Sequence, residues 1–305
     1  MKRFPIVKNA KIFFSITIIF LLVGFGSMIM KGFNLGIDFT GGSILDLKFD
    51  KPVTVAQVRD VLADHKLGNS VIQLGSADAV AQESQSVLVR TAVISDETRR
   101  EVMNDMNAKL GNSQVLRVEN VGATVGDQLV KQAGLAVVLS WILMIIYITF
   151  RFEFKFAISA IIALIIDVTV TLCWFSLVHY EIDSAFVAAI LTVVGYSVNS
   201  TIVIFDRIRE NLKMHRKSDD LSQLVENSIW QCMTRSMFTS LTTLFSVIAI
   251  FLYGGDTIHN FSFAMLVGIS SGFYTSTFLA GPMWMFLKKS SQHSDGRVVR
   301  KTKVV

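Results

Sequence analysis

Charge is scarce in this sequence. Asp, Glu, Lys and Arg supply 17% of its 305 residues, whereas a soluble domain carries about 25%, so an ordinary water-soluble fold is excluded. Cysteine is nearly absent. The only two, Cys173 in an apolar run and Cys232, cannot form a disulfide framework or a tetrahedral metal site between them, and both are expected to be packing residues. No G-x-x-x-x-G-K-[ST] occurs, so there is no P-loop for ATP. Catalysis, a metal and a cofactor are not expected.

Apolar residues dominate instead, at 51%. A membrane-spanning helix needs about 20 mainly apolar residues, and six stretches qualify: 12–30, 129–150, 156–178, 184–205, 237–253 and 260–287. The first is longer than the apolar core of a signal peptide and no A-x-A site follows it, so it reads as an uncleaved anchor. The net charge of +5 is explained by positive-inside topology rather than by nucleic acid. Lys2, Arg3, Lys8 and Lys11 precede the first span, Arg151 and Lys155 separate the second from the third, Arg207 to Lys217 follow the fourth, and Lys288 opens a basic tail over 288–305. The opposite short loops, His179 to Asp183 and Gly254 to His259, have no Lys or Arg. Both termini, residues 1–11 and 288–305, and the loop 206–236 are therefore expected in the cytoplasm of a multi-pass membrane protein.

The remaining long connection, residues 31–128, then folds outside the cytoplasm. Leu45, Leu47 and Phe49 alternate with polar residues as in a half-buried strand. Val55, Val58 and Leu62 recur at helical spacing; Val71 to Leu74 and Val87 to Ile94 are further strands; Val102, Met106 and Leu110 mark a second helix that Ser95 can cap; Leu116 and Val118 give a last strand. The order βαββαβ predicts an α+β ferredoxin-like domain, with a polar loop over Ser76 to Ser86. The whole is an α-helical polytopic membrane protein of six transmembrane helices carrying one such domain.

Polar residues inside the spans are the candidates for function. Asp167 lies near the middle of the third span, where a charge costs at least about 2.5 kcal/mol, so a functional role is the default reading; a paired or protonated structural Asp is the alternative. Ser159, Ala163, Asp167 and Thr171 form one stripe at spacing four. In the fourth span Thr192, Tyr196, Asn199 and Ser200 share a face, which is expected to look into the bundle, either for interhelical hydrogen bonds worth roughly 0.6 kcal/mol each or as a water-accessible proton path. Asp206, Arg207, Arg209 and Glu210 sit at that span's charged end. Arg235 opens the fifth span and can snorkel. Leu221, Leu224, Val225, Ser228 and Ile229 have the spacing of an amphipathic surface helix. Gly268-Ile269-Ser270-Ser271-Gly272 fits a nucleophile-elbow pattern but lies inside a span, where glycines four apart fit close helix packing. Gly36, Asp38, Gly41 and Gly42, just after the first span, read as a turn that opens the external domain.

Three stretches carry a resemblance. Gly36-Ile37-Asp38-Phe39-Thr40-Gly41-Gly42 after the first span, Val194 to Asn199 running on to Phe205-Asp206-Arg207-Ile208-Arg209-Glu210-Asn211, and Arg235-Ser236 leading to Thr239 to Thr243 together resemble the SecF family of the bacterial export machinery, within the SecD/SecF and resistance-nodulation-division lineage. The resemblance covers nearly the whole chain. It implies the inner membrane with residues 31–128 in the periplasm, a SecD partner, work with the SecYEG channel, YajC and YidC as further partners, a preprotein as the passing cargo, and proton flow as the drive. It places Arg235 in a proton-coupling set and makes residues 206–210 a subunit contact. Two positions depart from the family pattern: Ser200 stands where Asp usually follows the Asn, and Ile166 where His is frequent. Serine holds no negative charge at physiological pH, so proton carriage shifts to Asp167 or to a partner's carboxylate. A proton-driven exporter of small molecules and a non-transporting scaffold are the rival functions.

Overall fold

The structure is a computed structural model of the chain and describes residues 4–75, 83–214 and 220–289. The elements run α1 (Ala10–Lys31), β1 (Asn34–Leu35), α2 (Ile37–Thr40), β2 (Gly42–Thr54), α3 (Val55–Asp64), β3 (Val71–Gly75), β4 (Glu83–Thr91), α4 (Asp96–Leu110), β5 (Ser113–Val121), α5 (Ala123–Arg151), α6 (Phe154–Val178), β6 (Glu181–Ile182), α7 (Ser184–Lys213), α8 (Leu221–Tyr253) and α9 (His259–Tyr274). Two compact units result: Leu35–Gly134, and Met1–Asn34 with Leu135–Val305.

In the inserted unit four antiparallel strands lie in the order β3-β4-β2-β5. With α3 and α4 as the two crossovers this is the ferredoxin-like topology. Register follows burial. Leu45 stands opposite Val89 on one side and Val118 on the other, and a slip of one residue would turn the whole apolar set outward. Leu45, Leu47, Phe49, Val87 and Val89 meet Val58, Val61 and Leu62 of α3 and Val102 and Met106 of α4 in one core. Both helices start on side-chain caps. Thr54 and Gln57 form a reciprocal capping box, with Thr54 N donating to Gln57 Oε1 at 2.9 Å and Gln57 N to Thr54 Oγ1 at 3.2 Å, and Ser95 Oγ accepts from Thr98 N.

Two expectations change here. The polar stretch ending at Ser86 is not all loop: Glu83 to Ser86 begin β4, while 76–82 lie outside the described residues. β4 runs between β3 and β2, so its backbone ladder is completed on both sides whatever its side chains. The opening motif holds one helical turn, α2, which Gly36 precedes and Gly41 ends with its N–H on Ile37 O at 2.8 Å. Gly42 needs to be glycine, with φ +140° and room for no Cβ, since that atom would fall 2.7 Å from the Thr91 carbonyl oxygen. Gly126, in the first turns of α5, packs on the same motif: a Cβ there would stand 3.2 Å from Phe39 O.

The second unit holds the membrane helices. Six are long and apolar enough to cross a bilayer, which makes the chain a multi-pass membrane protein. The last of them runs from α9 through a π-helical segment, Thr275–Ala280, and on to Lys289. The expected loop 206–236 is largely helix. α7 continues to Lys213, and the amphipathic stretch from Leu221 is the first part of α8 rather than a separate surface helix. Asp220 accepts from Ser222 N at 2.9 Å to cap it, and nothing helix-breaking separates its amphipathic start from its apolar continuation.

Small residues set the helix spacing. Gly24 of α1 leaves the space that Cys173 Sγ of α6 fills, and Gly268 and Gly272 of α9 lie against Val193 and Ser197 of α7. Aromatic side chains close the bundle at both ends. Phe156 stacks on Trp284 at 4.5 Å and meets Phe205 at 4.9 Å at one end, and Phe175, Phe186 and Phe263 cluster at the other. Cys173 and Cys232 are both buried and free.

Candidate functional site

Between the two aromatic layers sits a carboxylate. Asp167, about midway along α6, is fully buried, as are Ser159, Ala163 and Thr171 of its stripe. Its oxygens accept from hydroxyls of two other helices. Ser271 Oγ of α9 donates to Oδ1 at 2.7 Å, Ser197 Oγ of α7 to Oδ2 at 2.5 Å, and Thr275 Oγ1, first residue of the π-helical segment, bridges both at 2.9 and 3.0 Å. Glycine makes this convergence possible. A Cβ on Gly272 would come 2.9 Å from Ser197 Cβ, so any larger residue there would push α7 and α9 apart and carry Ser197 away.

Among the described residues no ion pair includes Asp167. Its partners are neutral hydroxyls, each able to donate or to accept, so the shell can serve the carboxylate and the carboxylic acid alike. A buried carboxyl able to exist in either form, wrapped by hydroxyls that can reverse their hydrogen bonds, can take up, hold and release one proton.

The other candidates lie elsewhere. The α7 face expected to point inward does not: Thr192 and Asn199 are exposed, Tyr196 and Ser200 half-buried, and the inward residues are Val193, Ser197 and Thr201. Polar side chains avoid lipid either in their own bundle or under another chain, and the close approach of Gly268 and Gly272 has already claimed the Val193–Ser197 face. Tyr196 OH donates to Ser240 Oγ of α8 at 3.4 Å, and Ser200 Oγ to its own helix at Tyr196 O. Arg235 is exposed, and no ion pair holds it among the described residues. It begins a line of exposed polar residues on α8, Arg235, Thr239, Thr242 and Ser246, at helical spacing.

The charged end of α7 is tied within the chain. Arg207 donates to Glu210 Oε2 at 2.5 Å and to Gln231 Oε1 at 2.6 Å, Arg209 to the Arg151 carbonyl at 2.9 Å, and Asp206 lies 3.6 Å from Arg151. Gly36, Asp38, Gly41 and Gly42 are in the inserted unit's opening turn.

Sequence reasoning found Asp167 but missed its three donors and also Glu226. That carboxylate accepts Ile6 N at 2.9 Å and Val7 N at 2.7 Å, fastening the segment before α1 to α8. The signal for the donors was present: Ser271 and Thr275 are four apart, beside the Gly268–Gly272 spacing.

Comparison with known proteins agrees over most of the length. Residues 102–290 match the family described as "Protein export membrane protein SecD/SecF, C-terminal", and residues 26–53 the "SecD/SecF GG Motif". The chain is 71% identical over 289 residues to a protein translocase subunit SecF of Acidaminococcus fermentans, covering 95% of this chain and 99% of the relative. It is 38% identical over 284 residues to that of Sebaldella termitidis, covering 93% and 92%. Among solved structures it is similar to SecDF of Thermus thermophilus, a translocon-associated membrane protein, with TM-score 0.85 and 33% identity over 94% of this chain; it spans 39% of that longer chain. Against SecDF in its super-membrane-facing form the TM-score is 0.71 at 32% identity, covering 97% of this chain and 40% of that one.

Proposed function

The chain belongs to the SecD/SecF family of protein-export membrane proteins, and we propose that it works as the SecF-type subunit of a Sec translocase, using the proton-motive force to drive late steps of preprotein translocation. The observation that carries this reading is Asp167, buried at mid-span with hydroxyl donors from two other helices. An ionisable group at that depth is expensive, and a shell of neutral hydroxyls that can serve its charged and its neutral form supports a proton-exchanging role. One charge crossing 100 mV supplies about 2.3 kcal/mol, and about 1.4 kcal/mol is a tenfold shift in an equilibrium. Proton flow is thus sufficient to bias a two-state element. The solved SecDF relatives include a distinct super-membrane-facing form, as a machine with more than one state requires.

SecD is the partner. Thr192, Thr239, Thr242 and Ser246 bond their own helix backbones, but Asn199 on α7 and Arg235 on α8 are exposed with no hydrogen bond or ion pair of their side chains among the described residues. These two are unsuited to lipid and suited to helices of a second subunit, which would supply a carboxylate opposite Arg235. Ser200, where the family has Asp, makes Asp167 the chain's own proton carrier. Basic residues at one set of helix ends support a reading with both termini on the cytoplasmic side of the inner membrane and the inserted domain in the periplasm, where it would meet the emerging preprotein beside SecYEG. YajC and YidC are further partners on this reading, and residues 206–210 lie at the cytoplasmic face where such subunits dock.

The test uses vesicles that carry this chain with SecD and SecYEG. Completion of a stalled preprotein after ATP is exhausted is timed with and without an imposed proton gradient. Wild type is expected to respond by about tenfold, the change that about 1.4 kcal/mol produces, and Asp167→Asn to lose that response while still assembling with SecD. A full response from Asp167→Asn sinks the proton role of Asp167. A response to sodium instead names a different ion, and no response to either makes the subunit a scaffold.

A further inference from the structure

A cavity of about 510 Å³ opens along the seam of α1, α6 and the last span, and its floor includes Ser271 and Thr275, the two hydroxyls of one helix that donate to Asp167. Its walls are hydrocarbon and aromatic, with Phe20 of α1, Val170 and Trp174 of α6, and Val267 of α9 among them. Thr17 and Tyr274, also on the lining, are already engaged: Tyr274 OH donates to Phe13 O at 2.9 Å, and Thr17 Oγ1 lies 3.2 Å from Tyr274 OH and donates to Phe13 O at 3.0 Å. Ser270 is the one further hydroxyl on a lining otherwise made of hydrocarbon and aromatic groups, so the cavity offers little to a polar ligand and much to an apolar one.

We propose that this cavity is a binding site for one acyl chain of a membrane phospholipid, which closes the lateral side of the Asp167 site against water. Three observations select the occupant. The lining residues sit near the middle of their helices, the depth of the hydrocarbon core. The helix beside it presents aliphatic side chains outward, since Ile12, Ile16, Ile19 and Val23 of α1 are exposed on one side, whereas the exposed polar line that suits another subunit is on α8. The volume of about 510 Å³ has room for about 17 methylene groups, at the roughly 30 Å³ that a water-sized group takes in a liquid. A chain seated there makes dispersion contacts that an unfilled wall forfeits, and its end rests on Ser271 and Thr275. Bilayer composition then acts directly on the helix that holds two of the three Asp167 donors.

The experiment is photolabelling, read with no transport assay and so independent of the proton reading. The full chain with its SecD partner is placed in vesicles containing a phospholipid with a diazirine near the end of one acyl chain, irradiated, and its labelled peptides mapped. Label is expected within residues 16–20, 166–174 and 266–271, and is expected to be lost in Val170→Phe and, from the opposite wall, in Val267→Phe, each of which fills the space. Label on the exposed face of α5 is the control and stays unchanged in both. If the cavity peptides carry no label while α5 does, a partner helix or a closed seam occupies the site and the proposal fails; it fails equally if label persists unchanged in both filled variants.

Discussion

The inserted domain and the helical bundle are held together by different means. The domain's core is made of large apolar side chains against a hydrogen-bonded sheet, with Phe49, Leu45, Leu47, Leu62 and Met106 fully buried. Among the described residues, all but Ser43, Ser70 and Ser84 of the buried polar side chains belong to the bundle. The solvent explains the contrast. Water drives the domain's apolar groups together, but lipid tails are as apolar as Leu, so helices in a membrane associate through close packing of small residues and through hydrogen bonds. A bundle built that way can place hydroxyls around a carboxylate between its apolar layers, where Phe156, Phe205 and Trp284 pack at one end and Phe175 and Phe186 at the other.

The sharpest break of that comparison is a cavity in the domain. Phe49→Ala is expected to destabilise the domain by about 3–5 kcal/mol, the range for removing a buried aromatic side chain. Limited proteolysis of the vesicle-bound chain should then cut between residues 35 and 134 while the membrane helices stay protected. Equal sensitivity in both units would mean that they do not hold separate cores.

A deletion of similar burial in the bundle should do far less. Ser271→Ala removes one hydroxyl from Asp167 and is expected to cost roughly 0.6 kcal/mol, the measured average for a hydrogen bond between membrane helices. Steric trapping or denaturant unfolding of the reconstituted chain reads this directly. A loss above about 2 kcal/mol, the order of a desolvated, unsatisfied group, would show that the hydroxyl shell is a main fastening of the bundle rather than a surround for Asp167.

The same contrast decides what could be read from sequence. The domain's strands were legible because water imposes period two on Leu45, Leu47 and Phe49, and its second helix because Ser95 is a cap in front of Val102 and Met106. Asp167 stood out because an acid within an apolar run has no cheap explanation. Its donors did not, because a Ser or Thr in a membrane helix can bond its own backbone, as Thr239 and Thr243 do here, and carries no sign of which helix it faces. Gly268 and Gly272 announced a close approach but not that α7 would receive it. The inward face of α7 is misread for that reason: Thr192 and Asn199 are polar, and their spacing does not tell whether their own bundle or another chain is to face them. Continuity of α8 was hidden because an amphipathic start and an apolar continuation look like two elements until no breaker is found between them.

The smallest effect lies on the domain's surface, where water weakens what the bundle's interior would strengthen. Lys109 Nζ donates to Asp64 Oδ2 at 2.6 Å, joining the end of α4 to the end of α3. The hydrogen bond and charge of Lys109 hold the Asp64 carboxyl below its usual 3.8, and those of Asp64 hold the Lys109 amine above its usual 10.5. A lowered carboxyl pKa adds stability that is present above 3.8 and is lost as pH falls through the folded value. A raised amine pKa adds stability that is present below 10.5 and is lost as pH rises through the folded value. The pair therefore helps only between those limits, and both partners are more than half exposed, so the help is small and screened by salt. Lys109→Gln should shift the denaturation midpoint of the domain slightly at pH 7 in low salt, with the shift shrinking in 1 M salt and vanishing below the folded value of Asp64. A shift that survives both conditions would mean that the Lys109 stem matters more than its charge.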